Sequence, residues 1–193
     1  MELTATGWNQ RYEAQSTGWD IGAISTPLEK YFQQLENKEQ TILIPGAGNA
    51  YEAEFLFNNG FRNVFILDWA SAPLKSLKKR IPELPEHQLL KEDFFEQEGK
   101  YDLIVEQTFF CAIHPQFRRK YAEKMYSLLK PGGKLVGLLF NVPLNKEHPP
   151  FGGNKEEYLN YFEGLFDIKH FHVAYNSIPP RQGRELFIHL TRK

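Results

Sequence analysis

Four short stretches, each at the end of an apolar run, carry the groups in this chain best placed by type to meet a ligand. They are the glycine turn of ILIPGAGNAY (Gly46, Gly48), Asp68 in VFILD, Asp93 in KEDFF, and Glu106-Gln107 in DLIVEQ. Two glycines between an apolar run and a helical one let backbone approach a ligand closely and present N–H groups at a helix start. A tight turn with no ligand is the plain alternative. Asp68 follows that turn by about 20 residues, where an acid commonly accepts from the two ribose hydroxyls of a nucleotide; its alternative is a cap for the helix that opens at Ser71. Asp93 can accept from an exocyclic amine while Phe94 stacks on a purine, or the pair can be a surface acid beside a core ring. Counted together, the four stretches describe an adenosine pocket with a glycine turn for the rest of the ligand.

The turn also discriminates among adenosine cofactors. A dinucleotide turn reads G-x-G-x-x-G, its third glycine admitting close helix–strand packing, and here that place is held by Tyr51. A P-loop G-x-x-x-x-G-K-[ST] for ATP is absent. S-adenosylmethionine has no phosphates, needs one nucleoside site and carries an amino-acid tail, so backbone at two glycines suffices. Its sulfonium would be attracted to aromatic faces, and Trp8, Tyr12 and Trp19 cluster in GWNQRYEAQSTGWD ahead of the first apolar run. As hydrophobic anchors of an N-terminal arm the same three residues need no ligand.

The elements that must position these groups alternate strand and helix, the pattern of a mostly parallel sheet. TPLEKYFQQLE carries a helix-start signature in Thr26, Pro27 and Glu29. TILIP, NVFILD, HQLL, YDLIVEQ and KLVGLLF are five strands in turn. AYEAEFLFNNG, residues 71–80 and PQFRRKYAEKMYSLL are the helices between them. NVPLNKEHPPFGG is a long loop of the kind that often binds or covers. NKEEYLNYFEGL is a last helix, and IKHFHVAY and ELFIHLT an antiparallel closing pair. This order predicts a Rossmann-like, doubly wound, seven-stranded sheet, mostly parallel with its last strand antiparallel, and such sheets bind ligands beyond the carboxyl ends of their strands.

At 193 residues the chain is the size of one domain, with residues 1–36 as a helical arm over the cofactor. A net charge of −1 with both signs dispersed predicts neither nucleic acid nor membrane as partner. The single cysteine, Cys111, excludes an internal disulfide and suits a reducing cytoplasm. MELTATGWNQRYEAQ lacks the basic and apolar regions of a secretion signal, and no apolar run approaches the roughly 20 residues of a membrane span. His170 and His172 share a strand face without a third ligand nearby in sequence, so no metal is expected, and Cys111, lacking a partner base, reads as an inert buried thiol. A monomer is favoured.

Several segments together, WNQRYEAQSTGWDIGAISTPL, ILIPGAGNAYEAEFL, YDLIVEQTFFCAIHPQFRRKYAEKMYSLLKPGGKL, PPFGG and PPRQGRE, resemble the thiopurine methyltransferase superfamily of class I methyltransferases, in particular its thiol and halide methyltransferase branch. The resemblance implies S-adenosylmethionine as cofactor, S-adenosylhomocysteine as product, and cofactor contacts from Trp8, Tyr12, Trp19, Gly46, Asp68, Asp93, Phe94 and Gln107. Gly48 and Glu106 join that set from the turn and the end of the fourth strand. Three positions depart from the family pattern. Ala47 stands in the usual G-C-G turn, Gln107 where the branch often has tyrosine, and Phe151 in place of the tyrosine of P-P-Y. Methyl transfer to a thiolate or halide is an in-line displacement that needs alignment and exclusion of water more than a general base. Gln107, Phe110, His114, Phe151 and Arg181 are the candidates for the acceptor side, a small soft nucleophile being the expected substrate: a thiol, sulfide or halide, or an aromatic thiol of thiopurine type. The rivals are a non-catalytic S-adenosylmethionine-binding sensor and an NAD-dependent reductase.

Overall fold

A computed structural model describes residues 3–193. Seven strands make one sheet: β1 (Ile42–Pro45), β2 (Val64–Leu67), β3 (Leu89–Leu90), β4 (Tyr101–Gln107), β5 (Leu129–Phe140), β6 (Phe166–Val173) and β7 (Glu185–Arg192). Their order is β3-β2-β1-β4-β5-β7-β6. β1–β2, β2–β3 and β4–β5 are parallel, while β7 runs antiparallel to both β5 and β6. The expected fold class is therefore observed. Contacts gather the chain into two compact units, one ending at Gln97 and one spanning Glu98–Lys193.

In the first unit β1 is buried along its whole length, as its β-branched and leucine residues dictate. Helices α1 (Ala5–Glu13), α2 (Thr26–Phe32), α3 (Tyr51–Asn58) and α4 (Ser71–Arg80) belong here. Helix α3 ends as its sequence predicts: Gly60 takes a left-handed φ of 89° and the Phe61 amide returns to the Leu56 carbonyl at 3.1 Å. Two helix starts differ from expectation. Ser25, not Thr26, is the N-cap of α2, and its side chain makes no capping bond. Helix α4 is not capped by Ser71 either. Asn9 of α1 supplies the acceptor, its Oδ1 taking the Ala72 amide at 3.0 Å and the Ser71 hydroxyl at 3.2 Å.

In the second unit, α5 (Arg118–Leu128) buries Tyr121, Ala122 and Met125. Helix α6 (Lys155–Phe162) opens at Asn154, whose side chain accepts the Glu157 amide at 2.9 Å. Gly137 of β5 lies opposite Glu106 of β4, and a Cβ there would fall 2.3 Å from the Glu106 backbone oxygen, so only glycine fits. Among the described residues no helix is long and apolar enough to cross a membrane.

Candidate active site

The glycine turn leaves β1 through left-handed backbone at Gly46 (φ 57°) and Gly48 (φ 53°), then at Ala50 (φ 55°), before α3 begins. The first two conformations explain the glycines. The Gly48 amide donates to Asp68 Oδ2 at 3.0 Å, and the Ala70 amide to Asp68 Oδ1 at 2.8 Å. Strand end and turn are thereby tied by one carboxylate that is only 7% exposed. Burial raises its pKa to about 6, with the Ala70 and Gly48 amides pulling the other way. A turn amide already committed to an anionic side chain is poorly disposed toward a pyrophosphate. It suits a cofactor whose charged centre is a cation.

The arm reaches this turn through Tyr12, and Trp8 and Trp19 pack with it. Trp19 meets Trp8 edge to face at 5.5 Å and Tyr12 at 5.7 Å. The Arg11 guanidinium stands 5.6 Å from the Trp8 ring and 5.5 Å from the Trp19 ring, so these indoles already hold a cation. The Tyr12 hydroxyl sits only 2.9 Å from where a Gly48 Cβ would be. Burial first, then the nearby Asp68 charge, pushes that hydroxyl's pKa well up. Asp93 caps a 3-10 turn, its Oδ1 accepting the Phe95 amide at 2.9 Å. Phe94 is buried, with its ring 5.3 Å from that of Phe95.

The second unit treats its candidate residues differently. Glu106 is fully buried, and its carboxylate accepts from the Phe109 amide at 2.8 Å, the Phe110 amide at 2.9 Å and the Tyr121 hydroxyl. Burial raises its pKa to about 7 against those three donors. Its oxygens accept from within the unit. They hold a turn in which Thr108 takes a left-handed φ of 57°, an uncommon conformation for a β-branched residue. Gln107 is partly exposed, yet its Oε1 is buried with no hydrogen-bond partner.

Phe110 and Phe151, both acceptor-side candidates, are each 1% exposed and pack in the core. Phe110 packs on Tyr121 at 5.0 Å and Tyr158 at 5.1 Å. Phe151 anchors the proline-glycine loop: its amide donates to the Cys111 carbonyl at 2.7 Å. Arg118, unremarked in the sequence, completes that anchor. It is 1% exposed, bonds Glu157 at 2.7 Å and the Gly152 carbonyl at 2.9 Å, and lies over Phe110 at 4.8 Å. Arg181 is buried too, paired with Glu185 at 3.1 Å, and Ser177 donates to the same carboxylate at 2.7 Å. Its charge is therefore partly answered within the unit. The Cys111 thiol is pushed up to about 12 by burial and then by Glu106, as befits an inert thiol.

Of the acceptor-side candidates, His114 and Gln107 stay partly exposed. The His114 ring packs on Phe151 at 5.4 Å, and its Nδ1 accepts the Gln116 amide at 3.3 Å. That bond assigns the neutral ring's proton to Nε2, which is then a donor and not a base. His170 and His172 stand 5.4 Å apart on β6, with His189 5.8 Å from His170. Among the described residues no group of three such side chains is arranged to hold a metal ion.

The sheet with its antiparallel β7, the glycine turn after β1 and an acid after β2 define a class I methyltransferase. A solved structure of the same architecture is the 1,6-didemethyltoxoflavin-N1-methyltransferase of Burkholderia thailandensis with bound S-adenosylhomocysteine, at a TM-score of 0.76 and 16% identity over 99% of this chain and 87% of that one. The family model for thiopurine S-methyltransferase matches residues 3–188. The chain is 33% identical over 162 residues to the probable thiol methyltransferase 2 of Arabidopsis thaliana, covering 81% of this chain and 71% of that protein. It is 31% identical over 189 residues to thiocyanate methyltransferase 1 of the same plant, covering 93% and 81%. The chain belongs to the thiopurine S-methyltransferase family and is an S-adenosylmethionine-dependent methyltransferase.

Proposed function

We propose that this enzyme methylates a small, soft sulfur nucleophile that arrives already ionised. One observation carries the reading: Glu106, Cys111 and His114 together offer an acceptor a donor and no free base. Glu106 already accepts from three donors, the Cys111 thiol stays protonated, and His114 presents an N–H from Nε2. A thiolate, sulfide or thiocyanate-like anion needs no proton removed. A neutral alcohol or amine does.

S-adenosylmethionine supplies an electrophilic methyl group on a sulfonium. In this reading Asp68 accepts from the ribose hydroxyls, Asp93 from the adenine amine, and Gly46 and Gly48 admit the amino-acid end. Trp8, Tyr12 and Trp19 cover the site and exclude water, and Phe94 backs it from the core. The buried Gln107 oxygen takes a donor from the ligand. His114 steadies the acceptor's negative charge. The chain works as one methyltransferase domain with residues 1–36 as its arm, a cytoplasmic monomer acting on small molecules; a single buried free thiol is consistent with that compartment.

The test is a methyl-transfer screen over hydrogen sulfide, small thiols, thiocyanate, iodide and a thiopurine, reading methylated product by mass spectrometry. Turnover of sulfur acceptors is expected, rising with the fraction of thiolate. Tight S-adenosylhomocysteine binding without any product would replace this reading by a non-catalytic cofactor-binding one.

A further inference from the structure

The residue that stands where a dinucleotide turn has its third glycine is tied to the arm. Tyr51 donates its hydroxyl to Asp20 Oδ2 at 3.3 Å, and Asn49 of the same turn donates its Nδ2 to that oxygen. Asp20 Oδ1 accepts the Gly22 amide at 2.8 Å, which stiffens the arm just after Trp19. Asn49 and Tyr51 are themselves braced. Arg80 donates to the Asn49 carbonyl, pairs with Glu54 at 2.8 Å and lies over the Tyr51 ring at 5.4 Å.

A second attachment follows at the arm's far end, where the Ser25 amide donates to the buried Glu52 of α3 at 3.2 Å. A third precedes it, Asn9 capping α4. Tyr12 and Trp19 are thus strung between fixed points on α4 and α3, with Trp8 next to the first of them and the Tyr12 hydroxyl resting on Gly48.

We propose that Asp20 is a positioning residue for cofactor binding, its carboxylate gripped by Asn49 and Tyr51 so that Trp19, and through it Trp8 and Tyr12, is held over the glycine turn. This rests on the proposed cofactor role of the trio. The grip is local: two side chains spanning three residues of one turn hold one carboxylate, which is next in sequence to the indole it places. Tyr51 thereby gains a positive reason. A glycine there would serve a pyrophosphate; a tyrosine supplies the hydroxyl that an arm-covered cofactor site uses. Releasing the carboxylate frees the segment around Trp19 while the caps at Asn9 and Ser25 keep the rest of the arm attached. Asp20 therefore governs how long the product stays bound more than whether the protein folds.

The experiment compares the wild-type chain with Asp20→Ala and Tyr51→Phe by amide hydrogen exchange of residues 8–22, by the S-adenosylhomocysteine dissociation rate, and by thermal unfolding. Asp20→Ala loses charge-assisted bonds and is expected to speed dissociation about tenfold. It should also lower arm protection in the ligand-free chain and leave the unfolding midpoint nearly unchanged. Tyr51→Phe loses the longer bond, with an expected effect of about two- to threefold in the same direction. Unchanged protection and dissociation in Asp20→Ala would overturn the proposal; if that variant failed to fold, Tyr51→Phe with wild-type dissociation would do the same. Lowered arm protection in a chain whose wild type binds no S-adenosylhomocysteine would keep the grip and remove the cofactor reading.

Discussion

Asp68 and Glu106 invite comparison because each is a buried carboxylate at the end of a parallel strand with its pKa raised by burial, to about 6 and about 7. Their surroundings divide them. Asp68 receives one amide at each oxygen, two of about four places a carboxylate can accept. Glu106 receives two amides and a hydroxyl and has no exposed surface. The first is tied to the glycine turn with two of its accepting places filled. The second is consumed in holding Thr108 and the Phe109–Phe110 turn. The same contrast runs through their units. Residues up to Gln97 keep aromatic faces and acceptors near a glycine turn. Most of the candidates after Glu98 are paired or buried in the core, leaving His114 and the Gln107 oxygen. A strand-end acid is therefore not by itself a ligand contact; its other donors decide.

Replacing each acid by alanine should separate the two roles. Glu106→Ala strands a buried hydroxyl and two amides, and the expected loss of stability is about 3–5 kcal/mol, read from the shift of a denaturant midpoint. Asp68→Ala should cost less stability and more affinity, S-adenosylhomocysteine binding falling about 100-fold if two ribose hydroxyls lose a charged acceptor. Equal affinity losses in the two variants, at equal stability, would erase the distinction.

The fold was legible because its signals are local. Apolar runs of strand length and the glycine end of α3 each specify themselves. Asp68 and the two glycines were legible as a pattern of backbone need and spacing. What Glu106, Phe110 and Phe151 meet was not legible, since it depends on which donors and rings fold against them. Nothing in DLIVEQTFF announces that Tyr121, 15 residues along and on another element, will take the acid. Arg118 hid for the same reason, being one basic residue among several in RRKYAEK. The Asp20 grip had a faint trace, a short acid directly after an arm tryptophan and an asparagine inside the turn, but pairing them requires the folded arm.

The raised acids also predict a pH dependence of intermediate size. Their folded pKa values lie above the ordinary 3.8 and 4.5, so between about pH 4 and 7 the folded chain holds protons that the unfolded chain has released. The stability these two groups confer is complete below about pH 4 and is lost as pH rises through 6 and 7. His189, pushed down to about 4 by burial and then by Lys134, works in the opposite direction and is lost on acidification. The acids' share is isolated by comparing wild type with Asp68→Asn and Glu106→Gln across this range, each variant being expected to flatten the fall on the alkaline side. Ligand binding sharpens the contrast further. Ribose hydroxyls donating to Asp68 favour its charged form, so S-adenosylhomocysteine should bind more tightly as pH rises through 6 and expel a proton below it. Calorimetry in buffers of different ionisation enthalpy reads that proton. Its persistence in Asp68→Asn would assign it elsewhere.

The smallest expected effect falls on Gln107, where the second unit leaves an acceptor unsatisfied. An orphaned buried carbonyl oxygen costs on the order of 1 kcal/mol until something donates to it. Gln107→Met keeps the length of the side chain and removes that oxygen. If the oxygen awaits a ligand donor, the variant gains up to about 1 kcal/mol of stability without ligand and loses several-fold in affinity for the cofactor product or in KM for the acceptor. Which constant moves identifies the partner. Stability that rises with both constants unchanged would make the orphan a packing fault of the Thr108 turn, and the second unit would then offer its substrate only the His114 edge.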